Sequence, residues 1–454
     1  MKKNIEKILN SLIIREDNKE KKGRLKMALD KFTIKLAPTK DIAQSVVESE
    51  PVPATVEAEY GDFCVEGTEV TLAHHGSRSA NPAPCNTDVE PLQGGTILVS
   101  HLDLDSIGGI MALTGDKIDD PEFWKAAEYI DVNGPHHVHE FPQEVQDKLN
   151  AVWAWNATQP RVRYTELTDV TSVVAENYKM LSAVLDERHP EHDSMIQKGR
   201  EWEASTTQAV ESKLVNESSC VRAFRTDGVF CAGSYYSPTQ NAIVPATLTF
   251  NEKFKAITIA FADGGQINSA KDIVQQLWGP EAGGRDGIAG SPRGVEMTQE
   301  DFEKAQVVLE AHILLKDIMR HPEDYVSGMT IEHLTSPWDE KMGPFKHPDD
   351  MHAFQAFVNE YFKTEGYQAN LVYDFSPNAT LHEVDLYSDL YLLGATLELT
   401  KDGESEPIRI ETTWPDSNHF FNVLYEREQE LQEELQQTSR DENDGNDEED
   451  IDDR

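Results

Sequence analysis

The sequence predicts an α/β protein: a first domain built on a parallel sheet, a second, smaller α/β domain, and a C-terminal α+β segment. Three observations carry that expectation. Thr96 to Val99 is a short β-branched and apolar run, followed by His101, Asp103 and Asp105, then Gly108-Gly109 and a second apolar run that can start a helix. Polar chemistry therefore falls at the C-terminal end of a strand, where open α/β sheets place their ligands. Further along, the strand-like run Ala256 to Ala262 leads through Asp263-Gly264-Gly265 into a helical stretch, Ser269 to Leu277. Finally, 454 residues suffice for about two to three domains with apolar cores.

The formal charge of −41 is unevenly spread. Residues 1–40 hold 12 Lys/Arg against 5 Asp/Glu, whereas 441–454 hold one Arg against 9 acids, so the acidity resides mainly in the body between. Such a body repels long polyanions, because affinity for nucleic acid comes largely from Lys/Arg neutralising phosphates. A small anion remains compatible if cations in the site reverse the local potential. No apolar run approaches the roughly 20 residues of a membrane span, and the N-terminus lacks a signal-peptide apolar region. The four cysteines, Cys64, Cys85, Cys220 and Cys231, form no Cys-x-x-Cys pair, which suits reduced thiols in a cytoplasmic protein.

In chain order, residues 1–53 read as a mobile basic arm and linker with a short amphipathic stretch at Ile5 to Leu12. Alternation in Ala54 to Tyr60 and Glu69 to Ala73 predicts strands, ending at His74-His75-Gly76-Ser77. That tetrapeptide occurs in some metallo-β-lactamase-like hydrolases, but the His-x-His-x-Asp-His cluster that fold brings is absent, so His74 and His75 read as loop residues near a site's mouth. His101, Asp103 and Asp105 alternate, so an extended chain aims all three at one point, as a Mn²⁺ or Mg²⁺ ion requires; alternatively they cap the following helix. Pro121 to Tyr129 predicts a helix capped by Asp119 or Asp120. Asp131, His136, His137 and His139 then fall within nine residues, dense enough in imidazole and carboxylate to suggest a metal site or else a polar surface turn. Residues 143–213 read as mainly helical, and Asp169 can cap the helix that follows it. The glycine-rich Gly283-Gly284-Arg285-Asp286-Gly287-Ile288-Ala289-Gly290 lets backbone N–H groups approach a phosphate, with Arg285 as a planar fork. Thr298 to Arg320 predicts a helix with a capping box. Residues 330–437 read as an α+β domain without a chemical motif, and 438–454 as a disordered acidic tail.

His101-x-Asp103-x-Asp105 after a strand, then Asp131 and His136-His137, resembles the DHH phosphoesterase superfamily, whose first motif is a strand followed by paired aspartates. The glycine stretch about 180 residues later resembles the smaller domain that accompanies DHH domains. The resemblance covers roughly residues 60–320. It departs from the family where Pro135, not Asp, precedes the His pair, and where Asp131 follows Asp105 by only 26 residues.

The resemblance implies a DHH-like metal-binding domain over 54–214 and a substrate-binding domain over 215–325 across a cleft. Two Mn²⁺ or Mg²⁺ ions would be held by His101, Asp103, Asp105, Asp131, His136 and Asp169, with Asp131 and His137 catalytic. Gly283, Gly284, Arg285, Asp286 and Gly290 would contact the substrate. The expected activity is metal-dependent hydrolysis of a small nucleotide, dinucleotide or short oligonucleotide ester, without long nucleic acid or membrane, in a monomer or homodimer. The alternative is a non-catalytic nucleotide- or partner-binding protein on a degenerate DHH fold.

Overall fold

The structure is a computed structural model that describes residues 28–321 and, beyond them, 323–324, 330, 358–359, 362–363, 367–375, 392–401, 407–413, 423, 426–427 and 429–438. The amphipathic stretch Ile5 to Leu12, much of the segment 330–437 and the acidic tail beyond Thr438 lie outside the described residues.

The chain divides into two units, Met1–Ser212 with Pro238–Ile243 and Lys213–Ser237 with Val244–Arg454. The first is organised on a five-stranded sheet of β1 (Phe32–Leu36), β2 (Ala54–Val56), β3 (Val70–Leu72), β4 (Gly95–Val99) and β5 (Thr168–Asp169), in the order β3-β2-β4-β1-β5. Every pairing is parallel except β1 with β5. The apolar run of β4 is explained by burial on both faces. Ile97 and Val99 join a core with Ile107, Ile110 and Met111, while Leu98 points the other way onto Ala43 and Val46. Those last two belong to α1 (Lys40–Ser49).

The helices α2 (Leu104–Thr114), α3 (Pro121–Asn133), α4 (Gln143–Thr158), α5 (Thr171–Leu185) and α6 (His192–Glu211) follow. As expected from sequence, Asp120 caps α3 by accepting from Phe123 N over 3.1 Å, and Pro121 opens its first turn.

One expectation changes here. The segment read as part of an arm and linker supplies β1, which lies between β4 and β5, and helix α1. Pairing with β4, from Phe32 opposite Gly95 to Leu36 opposite Val99, satisfies its backbone and buries Phe32, Ile34 and Leu36. Local composition does not reveal a partner 63 residues away.

In the second unit β6 (Leu214–Glu217), β7 (Val221–Thr226), β8 (Ala246–Asn251), β9 (Ala256–Phe261), β10 (Gly283–Arg285) and β11 (Ile288–Gly290) form a sheet in the order β10-β11-β9-β8-β7-β6. Only β7 and β8 pair in parallel, so this sheet is mixed. Helix α7 (Ala270–Trp278) presents Ala270, Ile273 and Val274 to its core. Helix α8 (Gln299–Arg320) presents Phe302, Ala305, Val308 and Leu309. The Thr298–Asp301 capping box that starts α8 forms as its sequence predicts. β12 (Tyr367–Phe375), β13 (Leu392–Lys401) and β14 (Ile408–Thr413) make an antiparallel three-stranded sheet. Ile408 packs against the core of this unit. Among the described residues no helix is long and apolar enough to cross a membrane.

Candidate metal centre

Three neighbouring parallel strands end level with one another. Val56 of β2 lies opposite Leu72 of β3 on one side and Val99 of β4 on the other. Parallel strands send their C-terminal ends to the same edge of the sheet, so the residues just beyond them meet there. They are Glu57 after β2, His74 and His75 after β3, and His101 and Asp103 after β4; Asp131 joins them from α3.

The contacts are short. His74 Nε2 lies 3.2 Å from Glu57 Oε1, 3.2 Å from Asp105 Oδ2 and 3.4 Å from Asp131 Oδ2. His75 Nε2 is 3.1 Å from the same Glu57 oxygen. His101 Nε2 lies 3.0 Å from Asp103 Oδ2 and 3.4 Å from Glu57 Oε2. Among the described residues two groups have donor atoms within 4.8 Å of one another: Glu57, His74, His75 and Asp131, and Glu57, His101 and Asp103. Glu57 belongs to both.

The surrounding backbone fixes these side chains. Glu57 adopts a left-handed conformation, φ 46°, costly for a residue with a Cβ, and its N–H donates to Leu72 O over 2.8 Å. The Glu59 carboxylate accepts the backbone N–H groups of His74 and His75 at 3.2–3.3 Å. Ser100 Oγ donates to the Glu57 carbonyl and lies 2.8 Å from His101 Nδ1. In the neutral ring an Nδ1–H directed at Ser100 leaves the Nε2 lone pair facing the site.

Asp103 does both things the sequence allowed. Its Oδ1 caps α2 by accepting from Ser106 N at 2.8 Å, and Asp103 N in turn donates to Ser106 Oγ at 2.9 Å, while Oδ2 faces His101. Asp105, inside the first turn of α2, is buried. Its Oδ1 accepts from Cys85 N at 2.7 Å and its Oδ2 faces His74. The glycine pair makes that reach feasible: a Cβ on Gly108 would stand 2.5 Å from Cys85 Cβ, and one on Gly109 2.7 Å from Pro84 Cβ. α2 thus lies directly on the Pro84–Asn86 turn.

The electrostatics are those of a donor set short of positive charge. Burial pushes the Glu57 carboxyl up to about 7, against the hydrogen bond from His74. Burial, then repulsion from Asp103 and Asp105, raises Asp131. Hydrogen bonds to Asp105 and Glu57 lift His74 to about 10, and the Asp103 contact lifts His101 to about 9. Burial opposes ionisation of Asp103, yet His101 and Ser106 together hold it down to about 2. Without a cation, protons on imidazoles and carboxyls neutralise the cluster. A divalent ion would supply the same charge, and oxygen plus imidazole donors are what Mn²⁺ and Mg²⁺ accept. The residues present therefore fit such an ion.

Other residues expected at the site fall outside both ligand groups. His136 and His137 lie on the 3₁₀ turn Pro135–Glu140, stacked on each other at 4.4 Å. His137 Nδ1 contacts Glu140 Oε1 at 2.7 Å, and its ring meets Tyr129 edge-on. Neither histidine belongs to either ligand group. Asp169 is exposed and turns back on the start of α5, accepting from Thr171 N at 3.0 Å and Thr171 Oγ1 at 2.6 Å, which lowers its pKa; the helix itself begins after Val170 without a side-chain cap. Gly283, Gly284 and Arg285 form the edge strand β10, and Gly290 ends β11. Their hairpin needs small residues for its own packing: a Cβ on Gly284 would lie 2.4 Å from Ile288 O. Asp286 closes the hairpin by accepting from Ser269 Oγ at 2.8 Å. Arg285 is exposed on that edge.

Sequence reasoning passed over Glu57, which reads as one polar residue in an alternating run, and kept His74 and His75 outside the ligand set. The one available signal was an adjacent His pair directly after a predicted strand.

No family model matches the chain, and no curated protein does. Among solved structures, RecJ in complex with Mg²⁺ from Thermus thermophilus is similar at 14% identity with a TM-score of 0.23. The similarity covers 73% of this chain and 45% of RecJ, so the chain spans less than half the length of that protein.

Proposed function

We propose that this chain is a metal-dependent phosphoesterase of DHH type, hydrolysing a small nucleotide, dinucleotide or short oligonucleotide ester. One observation carries the reading: side chains from the ends of three adjacent parallel strands and from α3 converge on Glu57 with their donor atoms 3.0–3.4 Å apart. His101, Asp103 and Asp131, with His74 and His75, would hold Mn²⁺ or Mg²⁺. Bound there, such ions would lower the pKa of a water and neutralise charge on the phosphoryl oxygens.

The chain's own residues supply the rest. Asp105, pinned by Cys85 N, orients His74 and keeps its ring on the site. Ser100 does the same for His101. Asp131, with a quarter of its side chain exposed, is placed to accept a proton from the attacking water. His137, held by Glu140, is the candidate donor to the leaving oxygen. The net charge of −41 disfavours long polyanions and favours a compact substrate whose phosphate is neutralised inside the site.

The test is hydrolysis of a panel of phosphomonoesters, linear and cyclic dinucleotides and short oligonucleotides by dialysed protein, with and without Mn²⁺ or Mg²⁺. Turnover that requires the metal and vanishes in Asp131→Asn supports the proposal. The competing reading, a binding protein on a degenerate site, is favoured by Pro135 before the His pair and by the position of that pair outside both ligand groups. It predicts nucleotide binding without turnover for every substrate.

A further inference from the structure

We infer that Glu57 is the bridging carboxylate of a binuclear centre, with Oε1 on one cation held by His74, His75 and Asp131 and Oε2 on a second held by His101 and Asp103. The inference rests on the metal-dependent reading above and deepens it.

Its basis is the division of contacts between the two carboxylate oxygens. Oε1 lies 3.2 Å from His74 Nε2 and 3.1 Å from His75 Nε2, whereas the nearest imidazole nitrogen to Oε2 is that of His101 at 3.4 Å. Each oxygen thus faces its own ligand group, and Glu57 alone is common to both. A carboxylate spans two ions roughly 3.5–4 Å apart, the separation of two-metal hydrolytic sites.

The burial of Glu57 is an independent observation. Its side chain is fully buried, and no hydrogen bond reaches Oε2. A buried carboxylate oxygen that no donor reaches is unfavourable, so it calls for a partner beyond hydrogen bonding. Backbone placement adds to this. Glu57 sits in the middle of three strand ends, between His74 and His75 after β3 and His101 after β4, in a left-handed conformation that a non-glycine residue adopts at a cost. The side chain best placed to touch both groups is the central one.

Length and charge both matter for a bridge. Gln at this position keeps the reach but replaces one anionic oxygen with an amide that is a poor ligand, and Asp keeps the charge but loses a methylene of reach. Both substitutions should remove the bridge while leaving the remaining ligands in place.

The experiment is Mn²⁺ loading of the full chain, read by metal content after gel filtration and by electron paramagnetic resonance, alongside Glu57→Gln and Glu57→Asp. Circular dichroism and melting of the metal-free proteins establish that each variant is folded. Wild type should retain two Mn²⁺ per chain with an exchange-coupled multiline spectrum. Glu57→Gln should retain one at most, with an uncoupled six-line signal, and bind the second ion at least about a hundred-fold more weakly. Glu57→Asp supplies the same readout if the Gln variant does not fold. Two coupled ions retained in a folded variant would overturn the bridge and leave the metal-dependent reading standing, as would a wild type that holds one ion or two uncoupled ions. A wild type that takes up no Mn²⁺ would overturn both.

Discussion

The backbone N–H of Cys85 donates to Oδ1 of Asp105 across 2.7 Å, tying a loop 20 residues upstream to the first turn of α2. The bond depends on Gly108, whose missing Cβ would stand 2.5 Å from Cys85 Cβ and 2.7 Å from the Trp124 ring. Gly→Ala inside a helix ordinarily stabilises by about 1 kcal/mol. Here the sign should reverse: Gly108→Ala should destabilise by about 1–3 kcal/mol through overpacking, and weaken metal uptake as Asp105 shifts. Urea unfolding and Mn²⁺ titration measure both effects, and a stabilised variant would show that α2 is not seated on that turn.

Asp103 caps α2 and is proposed as a ligand, and two substitutions separate the roles. Asn is as good an N-cap as Asp, whereas Ala costs about 1 kcal/mol at such a position. Asp103→Asn should therefore melt close to wild type when metal-free and yet lose Mn²⁺ affinity. Asp103→Ala should lose the affinity and melt lower. Equal melting of the two variants would argue against the capping box.

Metal binding should release protons. In the metal-free chain His74 is held up to about 10 and His101 to about 9, so both rings are charged near neutrality. Ligation needs the neutral ring, and uptake at pH 7 should expel on the order of one proton per ion, with affinity rising as pH rises toward 9. Calorimetry in two buffers of different ionisation enthalpy reads the proton count. Affinity independent of pH from 6 to 9 would exclude these imidazoles as ligands.

In the second unit, burial holds His312 down from 6.5 to about 4, and its Nε2 lies 2.9 Å from Gln276 Oε1. Because the folded pKa lies below the unfolded one, the unfolded chain binds the proton first as pH falls. The contribution of His312 is present above pH 6.5 and is lost as pH drops through about 4, up to about 3 kcal/mol in all. Urea midpoints from pH 7 to 4 should fall more steeply in wild type than in His312→Asn. Parallel slopes would mean that His312 titrates normally in the folded protein.

What the sequence by itself determined is local. The strand ending at Val99, the alternating His101, Asp103 and Asp105, and the helix start after them are written within 18 residues, because strand, cap and helix signals depend on near neighbours. The caps of α3 and α8 were legible for the same reason. Only the tertiary structure decided which carboxylates and imidazoles meet. Glu57 reaches His101 across 44 residues because β2 and β4 pair in parallel, and it reaches His74 because β3 pairs on the other side. Strand order is set by long-range pairing and two-sided burial, which no stretch of the chain records in its own pattern. For that reason Phe32–Leu36 was hidden in a Lys-rich segment and Glu57 in a simple alternation. The Asp169 carboxylate, whose type suited a ligand, is occupied by the N–H and hydroxyl of Thr171, a contact its sequence neighbours alone do not reveal.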